Sequence, residues 1–201
     1  MKNIRLTVWI GIMCGWLAAG MLQAGTRPDN ARPAEEDGSR LWLPVMRPVE
    51  GAEVEVIYKG KVSPTIAVAI AELKNAWKGE PVLLEKKRTG QGDGFAITSS
   101  EHQVRILSST EAGLLYGVYS LLRMQAAGQV TVPLSVTEQS VYDLRILNHW
   151  DNPDGTVERG YAGCSLWNWE ELPGTLSPRY EAYARANASV GINGTVLNNV
   201  N

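Results

Sequence analysis

Two short apolar segments with a helical one between them constrain this chain more than any other feature. Leu144, Ile146 and Leu147 read as a strand, Ser177-Pro178 caps a helix running to about residue 190, and residues 194–197 read as a second, buried strand. Strand, loop, helix, strand in that order is one right-handed βαβ unit. Such a unit cannot stand alone, because two parallel strands bury too little and need a covered sheet. The chain ends at Asn201, directly after the second strand, so truncation is expected. Residues 149–176 are polar and aromatic, and a loop of that length inside a compact domain is uncommon unless it has a task.

The preceding region has a different rhythm. Val54, Val56 and Tyr58 alternate with Glu53 and Glu55, the period of a strand with one buried face. Ser63-Pro64 then supplies an N-cap and a first-turn proline, and Ile66, Ile70, Leu73 and Trp77 fall on one helical stripe that Gly79 terminates. Residues 81–84, 94–98 and 104–107 read as further strands, the last two joined by a short polar turn. Thr110 opens a second helix with Leu114, Val118, Leu121 and Leu122 facing inward, ending before Gly128. The pattern is a small α+β sandwich that closes near Val136.

The N-terminus is of another kind. Lys2 and Arg5 precede a weakly polar run over residues 6–22 that ends Leu22-Gln23-Ala24, the form of a cleaved export signal. Gly11, Gly15 and Gly20 interrupt the run and no basic stop-transfer cluster follows, which argues against a stable membrane span. A flexible Pro, Gly and charge-rich tether is expected over residues 25–40. Export leads to the periplasm or the extracellular space. Cleavage after Ala24 leaves Cys164 as the one cysteine, so no intrachain disulfide forms, and that thiol is expected to be inert. With 44% hydrophobic and 20% charged residues the body of the chain is a folded protein, and a net charge of −2 with scattered basic residues excludes nucleic acid as a partner. Histidines at positions 102 and 149 with one mature cysteine give no metal site, and without a Gly-rich phosphate loop no cofactor is expected.

Both strands of the βαβ unit end in polar or aromatic clusters: Asn148-His149-Trp150-Asp151-Asn152 after the first, Asn198-Asn199-Val200-Asn201 after the second. In a parallel barrel the C-terminal strand ends share the face where ligands bind. Trp150 offers a flat apolar platform for a sugar ring, and Asp151, Asn152, Asn198 and Asn199 offer the donors and acceptors that hydroxyls need. Each has a plainer alternative: Trp150 could cap a barrel core, and Asp151 and Asn152 could make side-chain turns. His149 reads as a loop-fixing hydrogen-bond partner with no identifiable carboxylate. Glu170-Glu171 read as loop structure, since adjacent residues in an extended chain point opposite ways. Glu158 and Arg159 read as a loop-bracing ion pair.

The run Arg145-Ile146-Leu147-Asn148-His149-Trp150-Asp151-Asn152, with Gly155-Thr156-Val157-Glu158-Arg159-Gly160-Tyr161-Ala162-Gly163, Ala184-Arg185-Ala186-Asn187-Ala188 and residues 191–201, closely resembles the xylan alpha-glucuronidases of glycoside hydrolase family 67. Gly92-Asp93-Gly94-Phe95 and Leu115-Tyr116-Gly117 through Leu122-Arg123 look like the hexosaminidase-type accessory domain that precedes the barrel in that family. The resemblance implies four segments: a signal peptide (1–24), a tether (25–40), an α+β accessory domain resembling hexosaminidase domain 2 (41–138), and the truncated start of a (β/α)8 TIM barrel (139–201). It implies an enzyme hydrolysing the alpha-1,2 bond between (4-O-methyl)glucuronic acid and xylose in xylooligosaccharides or glucuronoxylan fragments. The family inverts the anomeric centre, which needs an acid and a base roughly 6.5 to 9.5 Å apart with water between them. Those carboxylates lie on later strands in the family, so no catalytic residue is assigned here. Trp150 matches a tryptophan beside the uronic acid, and Val200 an apolar position that receives the 4-O-methyl group. The alternatives are another barrel glycosidase such as a hexosaminidase, or a non-catalytic carbohydrate-binding remnant. A homodimer formed through C-terminal parts beyond this chain stays open.

Overall fold

The computed structural model describes Leu43, residues 54–88, Gly90 and residues 92–197. The expected signal and tether lie outside the described residues, as do Asn198, Asn199, Val200 and Asn201. Among the described residues the order is β1 (Val56–Tyr58), α1 (Pro64–Ala76), β2 (Val82–Lys86), β3 (Phe95–Ser99), β4 (Val104–Ser108), α2 (Glu111–Ala126), β5 (Ser135–Glu138), β6 (Ile146–Asn148), α3 (Pro178–Ser189) and β7 (Gly194–Val196). The architecture is mixed α and β around a sheet. Two compact units divide it, one from the described part of Glu35–Arg145 with Arg185–Asn193, the other from Ile146–Ala184 with residues 194–197.

In the first unit five strands form one mixed sheet in the order β1-β2-β4-β3-β5. β1, β2 and β4 run parallel, while β3 is antiparallel to both β4 and β5. Alternation decides which face is covered: Val82 and Leu84, Phe95 and Ile97, and Val104 and Ile106 are buried, and their sequence neighbours are not. The buried face carries the core, which the inward residues of α1 and α2 complete. α1 begins where expected because the Ser63 hydroxyl accepts from the Ile66 amide at 3.3 Å and Pro64 sits in the first turn. In α2 the Thr110 hydroxyl accepts from the Gly113 amide at 3.0 Å. The expected inward stripe of α2 is the observed one, with Leu114, Val118, Leu121 and Leu122 all buried. Strand β5 is an addition to the sequence reading, its signal being the alternation of Leu134 and Val136 with Ser135 and Thr137.

Contacts distant in sequence complete this unit. The Glu72 carboxylate on α1 accepts from Arg185 Nε at 2.5 Å and from Nη2 at 2.8 Å, and Arg185 Nη1 donates to the Leu43 carbonyl at 2.8 Å. Arg145 donates from Nη2 to Asp93 at 2.5 Å and from Nε to the Gly191 carbonyl at 2.5 Å. The Asn193 side chain closes the same corner, accepting from the Arg145 amide at 2.9 Å and donating to the Asp143 carbonyl at 2.7 Å.

In the second unit β6 and β7 pair in parallel, Ile146 opposite Gly194 and Asn148 opposite Val196, with the greater part of the loop and α3 between them in sequence. The expectation of a buried second strand is corrected. Val196 is 39% exposed and Ile146 on its partner strand 46%, since among the described residues these two strands form a sheet by themselves. A parallel pair loses water from its side chains only when layers cover both faces.

Candidate functional site

The expected site residues that can be described, Trp150, Asp151 and Asn152, lie directly beyond the C-terminal end of β6, and all belong to the second unit. The first strand end and its loop are held by backbone bonds. His149 donates its amide to the Val196 carbonyl at 2.9 Å, and the Trp150 carbonyl accepts from the Glu158 amide at 2.7 Å. The loop then doubles back through bridges between Asp151 and Val157 and between Thr156 and Cys164. Gly155 (φ 84°), Gly160 (φ 90°) and Gly163 (φ 102°) supply the left-handed turns this requires.

Trp150 is 49% exposed, so it does not cap a core within the described residues. Its two neighbours face the other way, as side chains flanking a residue in extended chain must. Asp151 is 3% exposed, and its Oδ2 accepts from the Ser165 hydroxyl at 2.5 Å. His149 Nδ1 lies 3.4 Å from Asp151 Oδ1, and its Nε2 is 2.5 Å from the Tyr183 hydroxyl. The absence of a carboxylate partner for His149 is therefore corrected: Asp151, two residues on, is that partner. Asn152 donates from Nδ2 to Thr156 Oγ1 at 2.9 Å and to the Glu158 carbonyl at 2.6 Å. Asp151 and Asn152 thus spend polar capacity on the loop itself. Val200, Asn198 and Asn199 lie outside the described residues.

Beneath Trp150's neighbours lies an aromatic cluster. The Trp167 ring centroid is 5.4 Å from that of His149, 5.2 Å from Tyr180 and 5.3 Å from Tyr183. Trp167 is 7% exposed, and the buried indole N–H groups of Trp167 and Trp169 have no hydrogen-bond partner among the described residues. Tyr183 and Ser165 escaped the sequence reading. A signal for the first was present, since Tyr180 and Tyr183 stand three apart on a helix and so share a face. Ser165 carried no comparable signal.

Glu171 behaves as loop structure, accepting from Arg179 Nη2 at 3.0 Å and from the Tyr180 hydroxyl at 2.9 Å. Glu158 and Arg159 do not form the expected pair. The nearby Glu158 carboxylate instead raises the Tyr161 phenol above its ordinary range. Glu158 adopts φ 54°, in the left-handed region. Cys164 is an exposed free thiol. Among the described residues no group of three or more His, Cys, Asp or Glu side chains could hold a metal ion, and no helix is long and apolar enough to cross a membrane.

Residues 124–201, which carry this whole arrangement, match the family described as the glycosyl hydrolase family 67 middle domain. Over that segment the chain is similar to glycoside hydrolases. The curated proteins that this chain resembles carry the name alpha-glucuronidase. The probable alpha-glucuronidase A of Aspergillus clavatus is 41% identical over 110 residues, and that of Neosartorya fischeri 44% identical over 110 residues. Alpha-glucuronidase A of Aspergillus tubingensis is 39% identical over 109 residues. In all three the match covers 54% of this chain and 13% of the relative, so the chain spans only a small part of their length. Among solved structures, an enzyme of glycoside hydrolase family 138 that targets pectin rhamnogalacturonan II aligns over 50% of this chain and 17% of its own, with 16% identity and a TM-score of 0.41.

Proposed function

We propose that the protein built around this segment is an alpha-glucuronidase. It hydrolyses the alpha-1,2 bond between (4-O-methyl)glucuronic acid and xylose in xylooligosaccharides, with inversion, in xylan breakdown. The observation that carries the reading is the identity of about 40% to alpha-glucuronidases over 109 to 111 residues. The half-exposed Trp150 at a strand's C-terminal end supports it, because an indole face suits the CH face of a sugar ring. In this reading the first unit is the accessory domain of hexosaminidase type, and β6, α3 and β7 open a (β/α)8 barrel whose C-terminal strand ends form the pocket. Trp150, Asp151, Asn152, Asn198, Asn199 and Val200 then belong to its wall, with Val200 against the 4-O-methyl group. Residues 1–24 direct export to the periplasm or beyond the cell and residues 25–40 form a tether.

No carboxylate of this chain serves as acid or base in this reading. Asp151 is occupied by Ser165, and Glu171 by Arg179 and Tyr180, which supports leaving the chemistry to later strands. The purified 201-residue chain should release no glucuronic acid from aldouronic acids above a buffer control. Release above control would mean that the chain carries its own catalytic pair. Reading the gene in frame beyond the codon for Asn201 tests the rest. Continued coding with acidic residues at later strand ends is expected, whereas an immediate stop would make the assignment one of ancestry.

A further inference from the structure

Trp150 cannot act as a platform unless its indole plane is held still, and half of its surface is open to solvent. What holds it is found on its two neighbours. His149 and Asp151 point to the side opposite the indole and meet each other there, Nδ1 to Oδ1 at 3.4 Å. Each is anchored to a different element. The Tyr183 hydroxyl on α3 lies 2.5 Å from His149 Nε2, and the Ser165 hydroxyl in the loop donates to Asp151 Oδ2 at 2.5 Å. Ser165 is itself fixed, its Oγ accepting from the Trp167 amide at 2.9 Å. The Asp151 carboxylate favours the His149 proton on Nδ1, which leaves Nε2 to accept from the Tyr183 hydroxyl. Trp167 closes the space behind the imidazole edge-on, at 76° between the ring planes.

We propose that His149, Asp151, Tyr183 and Ser165 form a brace whose task is to position Trp150. The chain of contacts from Ser165 through Asp151 and His149 to Tyr183 fixes the backbone on both sides of one residue and so sets the plane of the indole. These are positioning residues, acting on a sugar only through Trp150. The sugar-binding role of Trp150 rests on the glucuronidase reading, but the brace itself does not.

The test is nuclear magnetic resonance on the full chain, using the indole N–H signals of Trp150, Trp167 and Trp169, with W150F to assign the first. In the wild type the proton–nitrogen Overhauser effect of Trp150, which reports motion on the picosecond to nanosecond scale, should match that of the buried Trp167. Y183F removes one hydroxyl and keeps the ring, and S165A removes the other. Both should lower the Trp150 value toward that of a mobile side chain while leaving Trp167 unchanged, and S165T should restore it. An unchanged Trp150 value in both variants would overturn the proposal. So would a Trp150 as mobile in the wild type as in the variants, or a loss of amide dispersion throughout, which would make these residues part of the fold. Titration with a methyl glucuronoside separates the two ideas: no shift at Trp150, with the motional changes as expected, removes the sugar reading and leaves the brace intact.

Discussion

At the residue scale, Trp167 combines a large buried ring with an indole N–H that has no hydrogen-bond partner among the described residues. The ring and the N–H act in opposite directions. Burying the ring against Tyr180, Tyr183 and His149 stabilises the second unit, and truncation of such a residue costs about 3 to 5 kcal/mol. A buried donor without an acceptor costs about 1 to 3 kcal/mol. W167A should therefore lower the unfolding free energy by the first amount. W167F, which keeps most of the ring and removes the unpaired N–H, should cost well under half as much. Urea titration followed by circular dichroism measures both, and equal losses would show that the N–H is satisfied in solution.

At the scale of elements, α2 lies unusually close to the sheet. A Cβ on Gly117 would stand 2.5 Å from Ile106 Cγ2, and one on Gly113 would stand 2.1 Å from the Ser108 hydroxyl and 2.8 Å from the Asp93 carbonyl. In an ordinary helix Gly to Ala is favourable by about 1 kcal/mol. Here overpacking reverses the sign, and G117A should destabilise by about 1 to 3 kcal/mol. Thermal unfolding is the measurement, and a raised midpoint would show that helix and sheet can separate without loss. The caps, breaks and inward stripes of both helices were legible from Ser63-Pro64 and Thr110 onward. Their approach distance was not, because a glycine inside a helical pattern looks like a weak helix former until the strand beneath it is known.

At the scale of the whole molecule, the first unit is discontinuous in sequence. Arg185, Ser189, Gly191 and Asn193 return to it after the long loop, and Arg123 Nη1 donates to the Ser189 carbonyl at 2.6 Å. The Arg185 guanidinium bonds Glu72 through two nitrogens and lies 5.8 Å from the centroid of the Tyr119 ring. Burial, and secondarily the Glu72 charge, push the Tyr119 phenol far above its ordinary value, so it stays neutral and donates to Glu72 at 3.3 Å. R185A should cost about 1.5 to 3 kcal/mol, the range for hydrogen bonds to charged groups, as measured by chemical denaturation. A loss below about 0.5 kcal/mol would place Arg185 among the exposed pairs that contribute little.

Local pattern by itself determined the element types: a strand in the Val54 to Tyr58 segment, observed over Val56–Tyr58, the capped helices, the parallel order around α3, and the family likeness that runs from Arg145 onward. These follow from short-range periodicity and from residues whose backbone preferences act within a few positions. Tertiary structure decided which of those elements are covered and which polar groups meet. Residues 194–197 read as a buried strand by composition, yet burial depends on layers that periodicity does not supply. His149 found its carboxylate in Asp151 because extended chain sets positions two apart on one face. Tyr183 and Ser165 reached that pair only through the folding of a long loop. Contacts between residues far apart in sequence depend on where the intervening chain goes, and no single segment encodes that.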